Sequence, residues 1–232
     1  MKKSLIIIMC CCLLCAVTMT VQAQESAEER SRKHIENIEA NPDNIESART
    51  LAVMATTFGK AKTAELFNKL TPRVKNSEDG KMVEQYLLLN KELKIGDKFV
   101  DFEMLDSNGQ LRKLSELQGK IVLLEFWATW CVPCLNDIPH LKKIYDNYHK
   151  HGFEIFAVSF DINKENWMNA IEQKDLNWNH VTELKHVGNT AGLIYGVYGI
   201  PDNFLIDENG IIKARELRGD KLDKALKKMI KK

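Results

Sequence analysis

Cysteine is scarce over most of this 232-residue chain. Four of its six cysteines, Cys10, Cys11, Cys12 and Cys15, crowd the N-terminus, and the other two, Cys131 and Cys134, stand three apart. An exported domain stapled by structural disulfides would spread several along its length, and a bridge closing so short a loop removes little unfolded-state entropy. The pair at 131 and 134 is therefore there for chemistry. Long apolar runs are missing too: the N-terminal one, residues 5–17, is short of the ~20 residues a membrane-spanning helix needs. Nor does one sign of charge dominate. A formal net charge of +1, with lysine and glutamate mixed throughout, gives no support to nucleic-acid or anionic-membrane binding. The basic tail, residues 221–232, carries Leu222, Leu226, Met229 and Ile230 at helical spacing and reads as a solvated helix face.

What is present begins with the three parts of a secretory signal peptide: Met1-Lys2-Lys3, the apolar run, and the small-residue site Val21-Gln22-Ala23. Cleavage after Ala23 is expected, with an export destination in the periplasm or cell envelope. An uncleaved membrane anchor is the alternative, and a lipid on Cys15 a weaker one because Leu14 is bulky before it. Removing residues 1–23 takes away four cysteines and leaves Cys131 and Cys134 alone.

Residues 24–94 read as a helical N-terminal region without catalytic candidates. Asn41-Pro42-Asp43-Asn44 is a turn and helix start, Ile45, Ala48, Leu51, Ala52 and Ala55 mark one apolar face, residues 61–70 form another helix, and Ser77 caps a third that runs to about Leu93. Such stripes serve either a docking or dimerisation module or a helical extension that packs on the main domain, and the second is expected because apolar stripes on helices usually find a core. Residues 95–232 change rhythm: a hairpin through Asp106-Ser107-Asn108-Gly109, a buried strand over 121–127, a helix to about His149, a second buried strand over 153–160, a helix over 164–173, and a hairpin at Glu208-Asn209-Gly210 before a last helix. Strand, helix, strand implies a parallel pair. Between 175 and 196 the signals are weak, with Val181 in a short strand and residues 191–195 in a short helix.

Residues 123–139 read L-L-E-F-W-A-T-W-C-V-P-C-L-N-D-I-P. An apolar strand ends at Trp130 and a helix opens at Cys131, where unpaired N–H groups and the helix dipole favour a thiolate, with a pKa of roughly 3.5 to 7.5 in such motifs. Pro133 fits the first turn, where a missing N–H costs little, and Pro139 should kink the helix further on. Glu125 stands in the apolar strand, so burial should push its carboxyl upward toward working pH; a strand-edge glutamate reaching solvent is the alternative. Asp137 is a second candidate acid, or simply a carboxylate favoured near a helix N-terminus by ~0.3 to 1 kcal/mol.

Phe126-Trp127-Ala128-Thr129-Trp130-Cys131-Val132-Pro133-Cys134, Tyr198-Gly199-Ile200-Pro201 and Phe204-Leu205-Ile206-Asp207-Glu208-Asn209-Gly210 stand in the order found in the thioredoxin superfamily. Over residues 95–232 the chain most resembles its exported TlpA-like (ResA-like) thiol-disulfide oxidoreductases. The resemblance implies an α/β fold, a thioredoxin-like three-layer arrangement with a four- or five-stranded mixed sheet flanked by helices, here with an N-terminal helical extension. It makes Cys131 the attacking thiolate and Cys134 the resolving thiol, an order that an exposed first and a tucked fourth helix position would explain. It makes Glu125 the acceptor of the Cys134 proton, with Asp137, one methylene shorter than the family's usual glutamate, as a second acid. It implies a cis bond between Ile200 and Pro201, in a loop that pairs with the substrate backbone, and a Trp130 that shields the disulfide and lines the contact surface. Thiol or disulfide protein substrates are implied as partners, with a membrane thiol carrier as electron donor, and no metal or cofactor. A reductase of exported thiols, of the cytochrome c maturation type, is the expected direction; an oxidase or isomerase of envelope disulfides, or a binding module with an inert disulfide, are the rivals. A peroxiredoxin would need P-x-x-x-T-x-x-C, and the places matching Cys131 hold Leu124 and Ala128.

Overall fold

The computed structural model describes residues 27–230, so the expected signal sequence and its cysteines lie outside the described residues. The chain divides into two compact units, with the break between Leu87 and Leu88. The segment after the break belongs with the second unit because Asn90 Nδ2 donates to Leu193 O (3.0 Å) and Lys91 N to Ile194 O (3.2 Å).

In the first unit, helix α1 covers residues 27–40 and is followed by α2 (Ile45–Lys69), α3 (Pro72–Lys75) and α4 (Glu78–Leu89), the last of which crosses into the second unit. Asn44 caps α2 by accepting from Glu46 N, and Gly59, at φ 75° and ψ 164°, breaks it into two helical stretches. Only glycine adopts that backbone without cost. Ser77 Oγ accepts from Gly80 N at the start of α4, which stops at Leu89 rather than Leu93. Ile38, Ala48, Leu51, Ala52, Leu66, Leu70, Val74 and Val83 close on one another as a core, while Ile45, expected on the same face, lies exposed.

The second unit is built on one seven-stranded sheet: β1 (Glu103–Asp106), β2 (Leu111–Lys113), β3 (Ile121–Trp127), β4 (Phe153–Ser159), β5 (Asn179–Thr182), β6 (Asp202–Ile206) and β7 (Ile212–Arg215), in the order β2-β1-β5-β4-β3-β6-β7. Four helices accompany them: α5 (Val132–Tyr148), α6 (Lys164–Gln173), α7 (Thr190–Tyr195) and α8 (Gly219–Met229), with α5 and α8 packed together. The layering is thioredoxin-like, but the sheet is larger than the four or five strands expected. Two antiparallel ladder pairs between β1 and β5, Leu105 with Thr182 and Asp106 with Val181, join the first hairpin to it. The residues ahead of β1 pair elsewhere: Phe99 N donates to Gly210 O and Lys98 bridges Ile211. Pro139 lies inside α5 without ending it.

β3 is an interior strand, parallel to β4 and antiparallel to β6, and all seven of its residues are buried. Covered on both faces, it must be apolar throughout, which makes Glu125 an exception that needs a reason. The register Phe126 to Asp202 sets Pro201 at the end of the sheet where β3 runs on toward the cysteines. Beside this strand Asn203 ties down the approach to α8: its Nδ2 donates to Leu217 O (2.9 Å), its Oδ1 accepts from Leu217 N (3.0 Å), and its own carbonyl accepts from Glu216 N (2.9 Å). Asn203→Ala leaves both polar groups of Leu217 without these side-chain partners, and an unfolding midpoint in urea lowered by the equivalent of about 1–3 kcal/mol at unchanged slope is expected.

Candidate active site

Cys131 and Cys134 are joined in a disulfide, with Cα atoms 5.2 Å apart. Cys131 is the N-cap of α5, and its Sγ accepts from the backbone N–H of Cys134 at 3.2 Å. An otherwise unpaired N–H of the helix start therefore points at this sulfur. The turn leading to it is fixed from β4: the carboxylate of buried Asp161 accepts from Thr129 N, Thr129 Oγ1 and Ser159 Oγ, holding the strand-to-helix link in place.

Exposure does not separate the two sulfurs as the sequence led one to expect. Cys131 is 4% exposed and Cys134 3%, while Trp130 and Val132 beside them are 50% and 63% exposed. In the oxidised state Cys131 Sγ turns inward to Cys134, and the flanking side chains form the surface. What distinguishes Cys131 is the N–H aimed at it.

Beneath Cys134 lies a cavity of about 10 Å³, about one water molecule in size, lined by Glu125, Trp127, Cys134 and His180 among others. Glu125 and Cys134 thus face one space. Burial pushes the Glu125 carboxyl up to about 8, against the opposing pull of Arg218 and a hydrogen bond from Asn203. Glu125 is no strand-edge residue with a solvated head: its side chain is 5% exposed and its Oε2 has no hydrogen-bond partner. His180, also buried, has no partner at either ring nitrogen, and burial pushes it down to about 3. Asp137 is brought to the same place, with Arg218 Nη1 lying 3.9 Å from Glu125 Oε1 and 3.7 Å from Asp137 Oδ2.

The Ile200–Pro201 bond is cis. The next residue, Asp202, is buried and pairs with Arg215, whose Nε donates to Asp202 Oδ2 at 3.1 Å and whose Nη2 also reaches Gly196 O (3.2 Å), so the loop is anchored on both sides of the proline. Trp130 stacks on His186, ring centroids 5.0 Å apart at 12°. Arg218, Asp161, His180 and His186 carry no local motif, and sequence reasoning did not find them. Among the described residues no group of three or more His, Cys, Asp or Glu side chains could hold a metal ion.

A thioredoxin-like sheet with a Cys-x-x-Cys disulfide at a helix start and a cis-proline at the same end of the sheet defines a thiol-disulfide oxidoreductase. Comparison with known proteins agrees. The AhpC/TSA family model matches residues 95–215, just over half of the chain. The ResA thiol-disulfide oxidoreductase of Bacillus thuringiensis subsp. konkukian is 30% identical over 151 residues, covering 65% of this chain and 85% of that protein. Among solved structures, the thioredoxin domain of a thiol-disulfide oxidoreductase from Bacteroides vulgatus is 33% identical, with a TM-score of 0.56 over 60% of this chain and all of that one. A thiol:disulfide interchange protein from Bacteroides sp. is also 33% identical, with a TM-score of 0.54 over 60% of this chain and 91% of that one. The chain belongs to the AhpC/TSA family of thioredoxin-fold proteins, as a thiol-disulfide oxidoreductase of the ResA type. Its substrates are accordingly protein thiols or disulfides. Leu124 and Ala128, where a peroxidase centre would have its proline and threonine, are fully buried apolar residues.

The raised Glu125 carboxyl makes stability depend on pH with a definite sign. The folded protein keeps this proton up to about 8 while the unfolded chain releases it near 4.5, so stability is full below 4.5 and falls as pH rises to about 8. In Glu125→Gln this fall should vanish, leaving the variant more stable than the parent at pH 8.5 by an amount on the order of a few kcal/mol. Denaturant titrations of the oxidised proteins across that range check it.

Proposed function

We propose that the chain is an exported reductase of protein disulfides that works through its Cys-Val-Pro-Cys centre. The observation that carries this reading is the sulfur at Cys131 facing the Cys134 N–H while Cys134 shares a small cavity with a protonatable Glu125. The Cys131 thiolate attacks a substrate disulfide, one substrate thiolate leaves, and a mixed disulfide forms. Cys134 gives its proton to Glu125, and its thiolate attacks Cys131 Sγ; the second substrate thiolate leaves and takes up a proton from solvent. The substrate has gained two electrons, and the enzyme is left as the disulfide seen here. A membrane thiol carrier then restores the dithiol.

Trp130, exposed beside the pair, together with Ile200 and the cis-Pro201 edge, receives the substrate backbone, and Asp137 acts through the charge it adds near Glu125. The ResA relationship supports thiols of apocytochromes c as the substrate class, and the leader-like residues 1–23 support a periplasmic or envelope location.

Cys134→Ala removes the resolving thiol, so substrates should accumulate on Cys131 as mixed disulfides that dithiothreitol releases. Envelope extracts that yield none would contradict the assigned roles. The direction of flow is read from the potential of the pair in glutathione buffers: a value near the reducing end of the superfamily, about −270 mV, is expected, and one near about −120 mV would make the protein an oxidant instead.

A further inference from the structure

Glu125 and Asp137 meet one guanidinium from different elements, Glu125 from the middle of β3 and Asp137 from the second turn of α5. Arg218, at the N-cap of α8, puts its Nη1 between them, 3.9 Å from Glu125 Oε1 and 3.7 Å from Asp137 Oδ2. That nitrogen and Asp137 Oδ2 are both buried without a hydrogen-bond partner, as is Glu125 Oε2, so the three side chains interact as charges rather than through a satisfied hydrogen-bonded network. The Asn203 clasp on Leu217 fixes the residue immediately before Arg218. Nothing in the exchange chemistry itself gives Arg218 a part.

Counting charge supplies one. Were both carboxylates ionised, two negative charges would face a single positive one where the carboxylates are largely buried; one bound proton makes the group neutral. A low-dielectric site favours the neutral arrangement. Glu125 is the deeper acid, its side chain 5% exposed against 13% for Asp137, and burial raises its carboxyl.

We propose that Arg218 is a positioning residue for thiol-disulfide exchange: its guanidinium, shared between Glu125 and Asp137, keeps Glu125 able to ionise and so sets the pH at which Glu125 accepts the Cys134 proton. This rests on the reading of Glu125 as the base for Cys134. The other groups facing Glu125 cannot substitute for Arg218. Asp202, from β6, adds a negative influence and is itself committed to Arg215; the Asn203 side chain contributes a hydrogen bond but no charge. His180, across the cavity on β5, is neutral at working pH, and the bonded cysteines carry no charge. Arg218 is the largest influence opposing burial at Glu125, and Asp137 works against it.

The test uses the reduced full chain and the aryl disulfide dithiobis(nitrobenzoate). Cys131 displaces one thionitrobenzoate and holds the other as a mixed disulfide; Cys134 then displaces the second, closing the 131–134 bond while its proton passes to Glu125. The rate of the second release, followed against pH, should show an inflexion that belongs to Glu125. In Arg218→Gln the inflexion should move to higher pH by about one unit or more. In Asp137→Asn it should move to lower pH, and in Arg218→Lys, which keeps a charge but not the planar fork, it should stay closer to the parent than in Arg218→Gln. Loss of the inflexion in Glu125→Gln with no movement in Arg218→Gln and Asp137→Asn, or movement of both in one direction, would overturn the role of Arg218 and leave Glu125 as the base. Persistence of the inflexion in Glu125→Gln would overturn the underlying reading of Glu125. Should Arg218→Gln fail to fold, Asp137→Asn and Arg218→Lys decide the matter by the same direction of movement.

Discussion

A single backbone N–H, that of Cys134, aimed at the sulfur of Cys131 is the interaction on which the rest of the site depends. It exists because a strand buried on both faces leads through a three-residue link into a helix whose N-cap is a cysteine. The first turn of any helix leaves N–H groups without partners, and here one of them is met by sulfur instead of by a serine or aspartate oxygen. For the sulfur to receive it, the link over residues 128–130 must hold one conformation, and Asp161 supplies that by accepting both the backbone and the hydroxyl of Thr129. The disulfide is covered rather than displayed, so the proposed selectivity between the two sulfurs rests on electrostatics more than on exposure.

The second constraint is a cost. Among the described residues, seven buried side-chain polar atoms have no hydrogen-bond partner, and six of them belong to Glu125, Trp127, Asp137, His180 and Arg218; only that of Trp167 lies on another residue. Each such atom costs roughly 1–3 kcal/mol of stability. Their concentration beside Cys134, in a sheet whose other buried polar side chains, such as Glu154, Ser159, Thr182, Asp202 and Asn203, have hydrogen-bond partners, fits the proposed proton transfer and is not what a domain selected for stability alone would keep. The same burial that weakens the fold above neutral pH gives Glu125 a proton affinity suited to exchange with a thiol.

Much of this was legible in the sequence, for physical reasons that differ by element. β3 and β4 declared themselves because strands covered on both faces are apolar at nearly every position, and the Asp207–Gly210 turn because Gly210, at φ 83°, occupies backbone open to few other residues. Glu125 stood out as the one ionisable residue in β3. The cis bond before Pro201 came from family resemblance alone, since nothing local to the residues specifies it. What stayed hidden was non-local. β5 has four residues, and its place between β4 and β1 is set by pairing partners far away in the chain. Arg218 looks like any surface arginine until the Asn203 clasp brings it to β3. The burial of Cys131 follows from the bond it makes and from its neighbours, neither of which hydropathy reports.

The central claim is that the α5 N-terminus, rather than exposure, makes Cys131 the nucleophile, and the titration of each thiol in the reduced folded protein tests it most directly. Alkylation rates of Cys131 and Cys134, resolved by peptide mass and followed against pH, should show Cys131 reacting first and titrating well below the free-cysteine value of about 8.5, with Cys134 titrating above it. A Cys131 that titrates at or above about 8.5, or that reacts after Cys134, would contradict the account.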